Sequence, residues 1–416
     1  MKGPSTGGRL SFVVLLFSQL AATTGFMFVI PFMPLYVEQL GVRDPGHAAA
    51  WAGFLDAAPA VTMALAAPLW GRLGDRVGQK KMLLRATLAG SVMLGLMGLV
   101  TSPWQLLLLR LLQGSVTGTV AAATVLASAT APPEKAPSRL GVLQTFIFIA
   151  SATGPFAGGA FADLAGIRAS FGITSALLAT SGLLVLFGVG ETKPARSETP
   201  ETPEGETSGK EPLPYRRLLP GVLALFVVHL SITSVLPAMP GFLKTLMEEP
   251  VRVATLAGQV IGACALAAAL GSFVGGRLAN RFGTQRVILC ALLLAGISSL
   301  PQAWVETVAE LWSLRLATAF FLGAIIPVAN LAVRSSVPQE RQGAAFGVAA
   351  SATSAAFGIG PLAGGLLAAT LGFGIPFSVP GVLLICVSVV FLVTSRKRTK
   401  VRLVRAWRTA LAHLVR

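Results

Sequence analysis

A chain of 416 residues with a mean hydropathy of +0.73 and only 12% charged side chains, about half the charged share of soluble domains, would expose too much apolar surface in water, so it reads as a polytopic membrane protein. Its net charge of +16, from 33 Lys and Arg against 17 Asp and Glu, would point to nucleic acid in a soluble protein but is here first a question of membrane topology. Cys264, Cys290 and Cys386 lie in apolar segments without metal-ligand spacing and read as packing residues, while the scarce acids and three histidines leave no catalytic or metal constellation and imply no cofactor.

About 20 apolar residues cross a bilayer. The sequence offers twelve such stretches: 10–36, 48–70, 82–102, 105–131, 139–163, 168–190, 218–244, 254–276, 286–304, 309–334, 343–370 and 373–394. The first is too long, and lacks the small-residue site, for a cleavable signal peptide. With both termini placed in the cytoplasm and the spans alternating, 27 of the 33 basic residues fall in cytoplasmic segments. Arg43, Arg168, Lys244 and Arg252 fall outside, and Arg110 and Arg315 lie within spans. Such asymmetry is expected of a multi-pass protein of a cell (inner) membrane. The excess charge therefore orients the chain and does not call for nucleic acid.

The expected organisation is two six-helix bundles, 1–190 and 218–395, with a linker and a tail. The segment 191–217 is dominated by Pro, Glu, Thr and Ser and reads as a flexible cytoplasmic linker. In the tail 396–416, Val404, Trp407, Leu411 and Leu414 share one helical face amid eight Arg and Lys. A basic amphipathic helix on the anionic inner leaflet fits this pattern; a merely solvated basic tail is the alternative.

The halves repeat at an offset of 205 to 206 residues. Pro31-Phe32-Met33-Pro34 returns as Pro237-Ala238-Met239-Pro240, Ala52-Gly53 as Ala257-Gly258, and Arg110 as Arg315. Gly71-Arg72-Leu73-Gly74-Asp75-Arg76-Val77-Gly78 returns as Gly276-Arg277-Leu278-Ala279-Asn280-Arg281-Phe282-Gly283, and Gly154-Pro155-Phe156-Ala157-Gly158-Gly159 as Gly360-Pro361-Leu362-Ala363-Gly364-Gly365. Two repeats in the same orientation mark secondary transporters, with substrate held near the midplane between the halves.

These motifs resemble those of the major facilitator superfamily. The stretch from Gly71 through Lys80 is similar to its loop between spans two and three, and Arg110-Leu111-Leu112-Gln113-Gly114 to its span-four motif. Residues Ala150 through Gly159 resemble the span-five motif of antiporters, with Ala150 in place of the usual first Gly. The stretch Pro31 through Val42, with Trp51 and Trp70-Gly71, is similar to MdtG-like bacterial multidrug exporters of the drug:proton antiporter group. The resemblance implies an all-α fold of twelve transmembrane helices. It also implies a gating loop at Gly71, Asp75, Arg76, Gly78 and Lys80, in which Asp75 docks at the N-terminus of span eleven when the protein faces outward. A carboxylate there gains about 0.3–1 kcal/mol. Asn280 replaces Asp75 in the second repeat and cannot form that charge-dependent contact. Gly154, Pro155, Gly158 and Gly159, with Gly360 and Pro361, would bend and seal the helices that close the cavity.

Asp56 is the one acid well inside a span, and an ionised group at the bilayer centre costs about 2.5–3.5 kcal/mol. It is therefore the candidate proton-coupling carboxylate, with Arg110 as partner; its repeat equivalent is Ile261. A wet carboxylate near the external mouth, or a fixed partner of Arg110, is the alternative. By analogy with the superfamily, the cavity would draw on Thr23, Phe26, Gln113, Gln144, Phe148, His229, Gln259, Asn330, Phe346 and Phe357. Such an aliphatic and aromatic lining with few polar groups suits lipophilic, drug-sized molecules. The expected function is export of small lipophilic compounds in exchange for protons by a monomeric, non-enzymatic carrier. A sugar or other metabolite exporter of the same superfamily, and a non-transporting scaffold or receptor, are the rival readings.

Overall fold

A computed structural model of the chain describes residues 6–129, 135–190, 214–249 and 251–392. The linker read at 191–217 lies outside them as far as residue 213, and the basic tail at 396–416 lies outside them entirely. Helices, turns and bends make up the described residues, and no strand occurs among them.

Helix α1 (Thr6–Phe28) gives way to a single 3-10 turn and then to α2 (Met33–Gln39). Pro31 and Pro34 have no amide hydrogen to continue the α1 ladder, so the predicted span 10–36 bends near its end. α3 (Pro45–Val77) starts where Asp44 accepts a hydrogen bond from the His47 amide at 2.6 Å, with Pro45 in the first turn. α4 (Gln79–Met97) follows after one residue. The predicted span 105–131 is in fact two helices, α5 (Pro103–Val116) and α6 (Thr119–Ala129). Gly118 between them has φ +136°, which disfavours any side chain, and the Trp70 indole donates to the orphaned Ser115 carbonyl at 2.5 Å. α7 (Ala136–Ala165) and α8 (Ile167–Gly188) complete the first half.

The second half repeats the plan with α9 (Tyr215–Ser234), α10 (Met239–Thr245), α11 (Val253–Phe282) and α12 (Thr284–Ser299). It ends with α13 (Val308–Arg334), α14 (Gln342–Leu371) and α15 (Ile375–Leu392). Here α13 is unbroken where α5 and α6 are two. Eleven of the helical stretches are long and apolar enough to cross a membrane. The other predicted span, 82–102, is α4, whose first two turns carry Lys80, Lys81 and Arg85.

The stretch from Gly71 to Val77, expected as a loop, is the last two turns of α3. Nothing in it stops the helix until Gly78, where φ is +96°. Gly283, at φ +86°, ends α11 in the same way. Lys80 sits just past the bend and donates to the Leu186 carbonyl at the C-terminal end of α8, a favourable place for a cation. The side chain of Asp75 lies outside what is described.

The two halves meet along two seams, α7 on α11 and α3 on α14. At each seam a glycine of one half lies directly against a backbone carbonyl of the other. Gly53 faces the Pro361 carbonyl and Gly258 faces that of Pro155; Gly365 faces Ala49 and Gly159 faces Ala254. These contacts occupy only the end that carries α2 and α10. The glycine contacts farthest from that end are those of Gly358 with Ala60 and of Gly262 with Ala152. Toward the end marked by Gly78 and Gly283, Gly71, Gly141, Gly276 and Gly347 have open space where a β-carbon would stand. The halves thus form a V, shut at the α2–α10 end and spread at the other.

Candidate functional site

Asp56 sits at the apex of that V. It lies on α3 between Gly53, which meets α14 at Pro361, and Ala60, which approaches Gly358 of α14. It is 11 residues from Pro45, so about 16 Å along the helix at 1.5 Å per residue. That is a third of the way along α3 from its Pro45 end. Ser102 starts α5 by accepting from the Gln105 amide, and Pro103 fits its first turn. Two turns on, Arg110 reaches across to Asp56, with Nη2 3.7 Å from Oδ1.

Both partners are mostly shielded, with side chains 15% and 11% exposed. Arg110 Nη1 also donates to Gln113 Oε1 at 3.3 Å, and Nη2 approaches Met33 Sδ at 3.8 Å. The guanidinium therefore ties α5 to the bend between α1 and α2. Removing either charge leaves the other without its counter-ion in a low-dielectric setting. Among the described residues the second repeat has no such pair. Arg315 instead lies beside the Cys264 thiol and 5.7 Å from the centre of the Phe377 ring.

The span-five motif divides its glycines between two jobs. Gly154 and Gly158 let α7 lie against Thr24 and Phe28 of α1, whereas Gly159 abuts α11 across the seam. The repeat does the same: Gly360 and Gly364 lie against Thr233 and Ser234 of α9, and Gly365 abuts α3. Pro155 and Pro361 each present a carbonyl to a glycine of the opposite half. The recurrence of Ala-Gly at 52–53 and 257–258 follows from this reciprocal fit, because only glycine leaves room for the opposing backbone.

The cavity candidates separate into groups. His229 Nδ1 donates to the Leu225 carbonyl at 2.8 Å, and its ring lies 5.4 Å from that of Phe357. Phe357 is exposed on α14, one residue before Gly358. Gln259, next to Gly258, is half-buried close by. Gln144 and Phe148 are exposed on the spread part of α7, and Phe346 is partly exposed on the first turns of α14. Asn330 is half-buried on α13. Thr23, Phe26 and Gln113 lie inside the first half: Thr23 and Gln113 are buried, and the Phe26 ring approaches the place a β-carbon on Gly90 would fill.

Four polar residues at the shut end escaped the sequence reading. Lys244 Nζ donates to Glu38 Oε2 at 2.6 Å, and Asp163 Oδ2 accepts from both the amide and the hydroxyl of Thr255. Each pair joins one half to the other. Glu38 and Lys244 are 206 residues apart, which is the repeat offset. They are therefore equivalent positions meeting on the pseudo-two-fold axis, and that offset was the signal available in the sequence.

The Major Facilitator Superfamily profile matches residues 15–249 and again 221–415. A multi-drug resistance efflux pump PmrA homolog of Lactococcus lactis subsp. lactis (strain IL1403) is 31% identical over 351 residues, 84% of this chain and 86% of that protein. The multidrug resistance protein MdtG of Citrobacter koseri (strain ATCC BAA-895 / CDC 4225-83 / SGSC4696) is 33% identical over 360 residues, 85% of this chain and 87% of that protein. Among solved structures, a bacterial homolog of the human lysosomal transporter Spinster, in an inward-facing and unoccupied conformation, superposes with a TM-score of 0.77 at 16% identity, covering 96% of this chain and 99% of that one.

Proposed function

The chain belongs to the Major Facilitator Superfamily of membrane transporters, and on that premise we propose that it exports small lipophilic compounds in exchange for protons by alternating access. The observation that carries the reading is Asp56, a lone carboxylate paired with Arg110 where the two halves part. A group there meets whatever occupies the cleft and is re-exposed when the halves rock. Protonation removes its attraction to Arg110, so proton binding and the state of the apex are coupled through one contact. The multidrug names of the relatives and the aromatic groups facing the cleft favour a lipophilic cargo.

In this reading the basic helix ends at Lys80, Lys81, Arg281 and Arg286 lie at the cytoplasmic face of the inner membrane, with both termini on that side. The V then opens to the cytoplasm, and the protein works as a monomer of two bundles, 1–190 and 218–395, joined by 191–217. The gating role of Asp75, Arg76 and their neighbouring glycines belongs to the opposite, outward-facing state.

Reconstituted protein tests the function. With a lipophilic fluorescent cation outside everted vesicles, an acid-inside pH gradient drives its uptake and an uncoupler abolishes it. Flux of sugars or amino acids but of no lipophilic dye would select the metabolite-exporter reading, and the absence of any gradient-driven flux would select the scaffold.

A further inference from the structure

Helix α11 begins without a cap of its own. Arg252 precedes it in a left-handed conformation, φ 57°, and its side chain caps nothing. The cap comes from the other half: Asp163, near the end of α7, accepts from the Thr255 amide at 2.7 Å and from its hydroxyl at 2.6 Å. The first turn of a helix leaves its amide hydrogens unpaired, and a carboxylate there satisfies them and meets the positive end of the helix dipole. The equivalent helix of the first half, α3, is capped by its own Asp44. The residue equivalent to Asp163 is Ala369, which lies against Gly46 at the start of α3. One seam is therefore held by a carboxylate borrowed across the interface, and the other by close packing alone. Asp163 also borders a cleft of about 520 Å³ that it shares with Glu38, Lys244 and Arg252, so this cap and the axial ion pair occupy one site.

We propose that Asp163 is a positioning residue of the transport cycle, capping α11 only while this end is shut and biasing the protein toward that state. The inference rests on the alternating-access reading given above. When the shut end opens, α7 and α11 separate, and the Thr255 amide and the carboxylate must each return to water. The self-capped α3 pays no such penalty. The seam between α7 and α11 is thus the one whose chemistry differs between the two states.

The test uses the full-length protein with Cys264, Cys290 and Cys386 replaced by Ala and Val253→Cys as reporter, because Val253 is buried in this seam. In right-side-out vesicles a membrane-impermeant maleimide reads how often the end opens. Asp163→Ala is expected to speed labelling about fivefold, the equivalent of a cap worth about 1 kcal/mol. Asp163→Asn keeps an oxygen that accepts the same amide and labels at the parent rate. Thr255→Val keeps the amide but not the hydroxyl and falls between. Should Asp163→Ala not insert, Asp163→Glu, whose carboxylate is displaced by one methylene, is expected to speed labelling in the same direction. Equal rates in the parent and in the Ala or Glu variant overturn the proposal, as does an Asn variant as fast as Ala. If labelling of the parent itself does not respond to an imposed pH gradient or to a lipophilic dye, the transport reading fails; if the parent responds and Asp163→Ala labels like it, only the role of Asp163 fails.

Discussion

Gly53 lies against the backbone carbonyl of Pro361, and across the pseudo-two-fold axis Gly258 lies against that of Pro155. A side chain at either glycine would have to displace backbone of the opposite half. Forcing extra atoms into such a contact costs about 1–3 kcal/mol, and only the state with this end shut bears the cost. Gly53→Val and Gly258→Val should insert normally yet open the shut end, seen as faster labelling of the Val253→Cys reporter and loss of dye efflux. Gly172→Ala, on α8 with nothing within 4 Å, should leave both readouts unchanged. A Gly258→Val protein that transports at the parent rate would contradict the close fit.

The axial pair makes a charge-swap prediction. Glu38 and Lys244 are about a quarter exposed, at 25% and 29%, so the pair contributes up to about 1 kcal/mol. Replacing Glu38 by Lys sets two cations against each other at 2.6 Å separation of the present partners, and Lys244→Glu does the same with anions. Each single variant should lower the melting temperature in detergent and reduce efflux several-fold. The double variant Glu38→Lys/Lys244→Glu should recover most of both. Absence of recovery would mean that the positions are not a pair in the working protein.

Asp56→Asn should retain binding and downhill exchange of substrate while losing substrate-induced proton release, measured with a pH dye in proteoliposomes. Arg110→Gln leaves an anion without its counter-ion, a change of about 3–5 kcal/mol when a buried pair is broken on one side only. It should therefore destabilise the protein more than the double variant Asp56→Asn/Arg110→Gln does. Undiminished proton release by Asp56→Asn places the coupling group elsewhere.

Phe357 and His229 offer a test of the cargo surface. Aromatic pairs of this separation, 5.4 Å, contribute about 0.5–1.5 kcal/mol beyond burial. Phe357→Ala should raise the KM for planar aromatic dyes about tenfold with little change in the maximal rate, whereas Phe187→Ala, exposed at the C-terminal end of α8, should not. Equal effects on the two would remove Phe357 from the cargo surface.

Much of this was legible in the sequence, for reasons that differ by residue. The helices follow from long apolar runs, and the two-half plan from motifs recurring at one offset. Asp56 and Arg110 stood out because charge is rare where the bilayer makes it costly. The break at Gly118 was hidden: composition stays apolar across 105–131, and the break depends on one backbone angle and on the Trp70 indole supplied from α3. The continuation of α3 through Asp75 was hidden too, because a glycine-rich basic segment reads as a loop unless its residues are known to stay helical. Glu38 and Asp163 drew no notice, and Lys244 counted only as an external loop charge, because charges at water-facing helix ends are ordinary; their meaning comes only from what the other half places opposite them.

The opposite charges of Glu38 and Lys244 also bear on how such a chain can be assembled. A carrier made of two identical six-helix subunits would bring each residue of this axial position against its own copy: glutamate on glutamate, or lysine on lysine. The fused chain has given its two copies complementary signs, so neither half is fitted to pair with itself. Co-expressed as separate polypeptides, the halves should associate with each other in preference to forming homodimers.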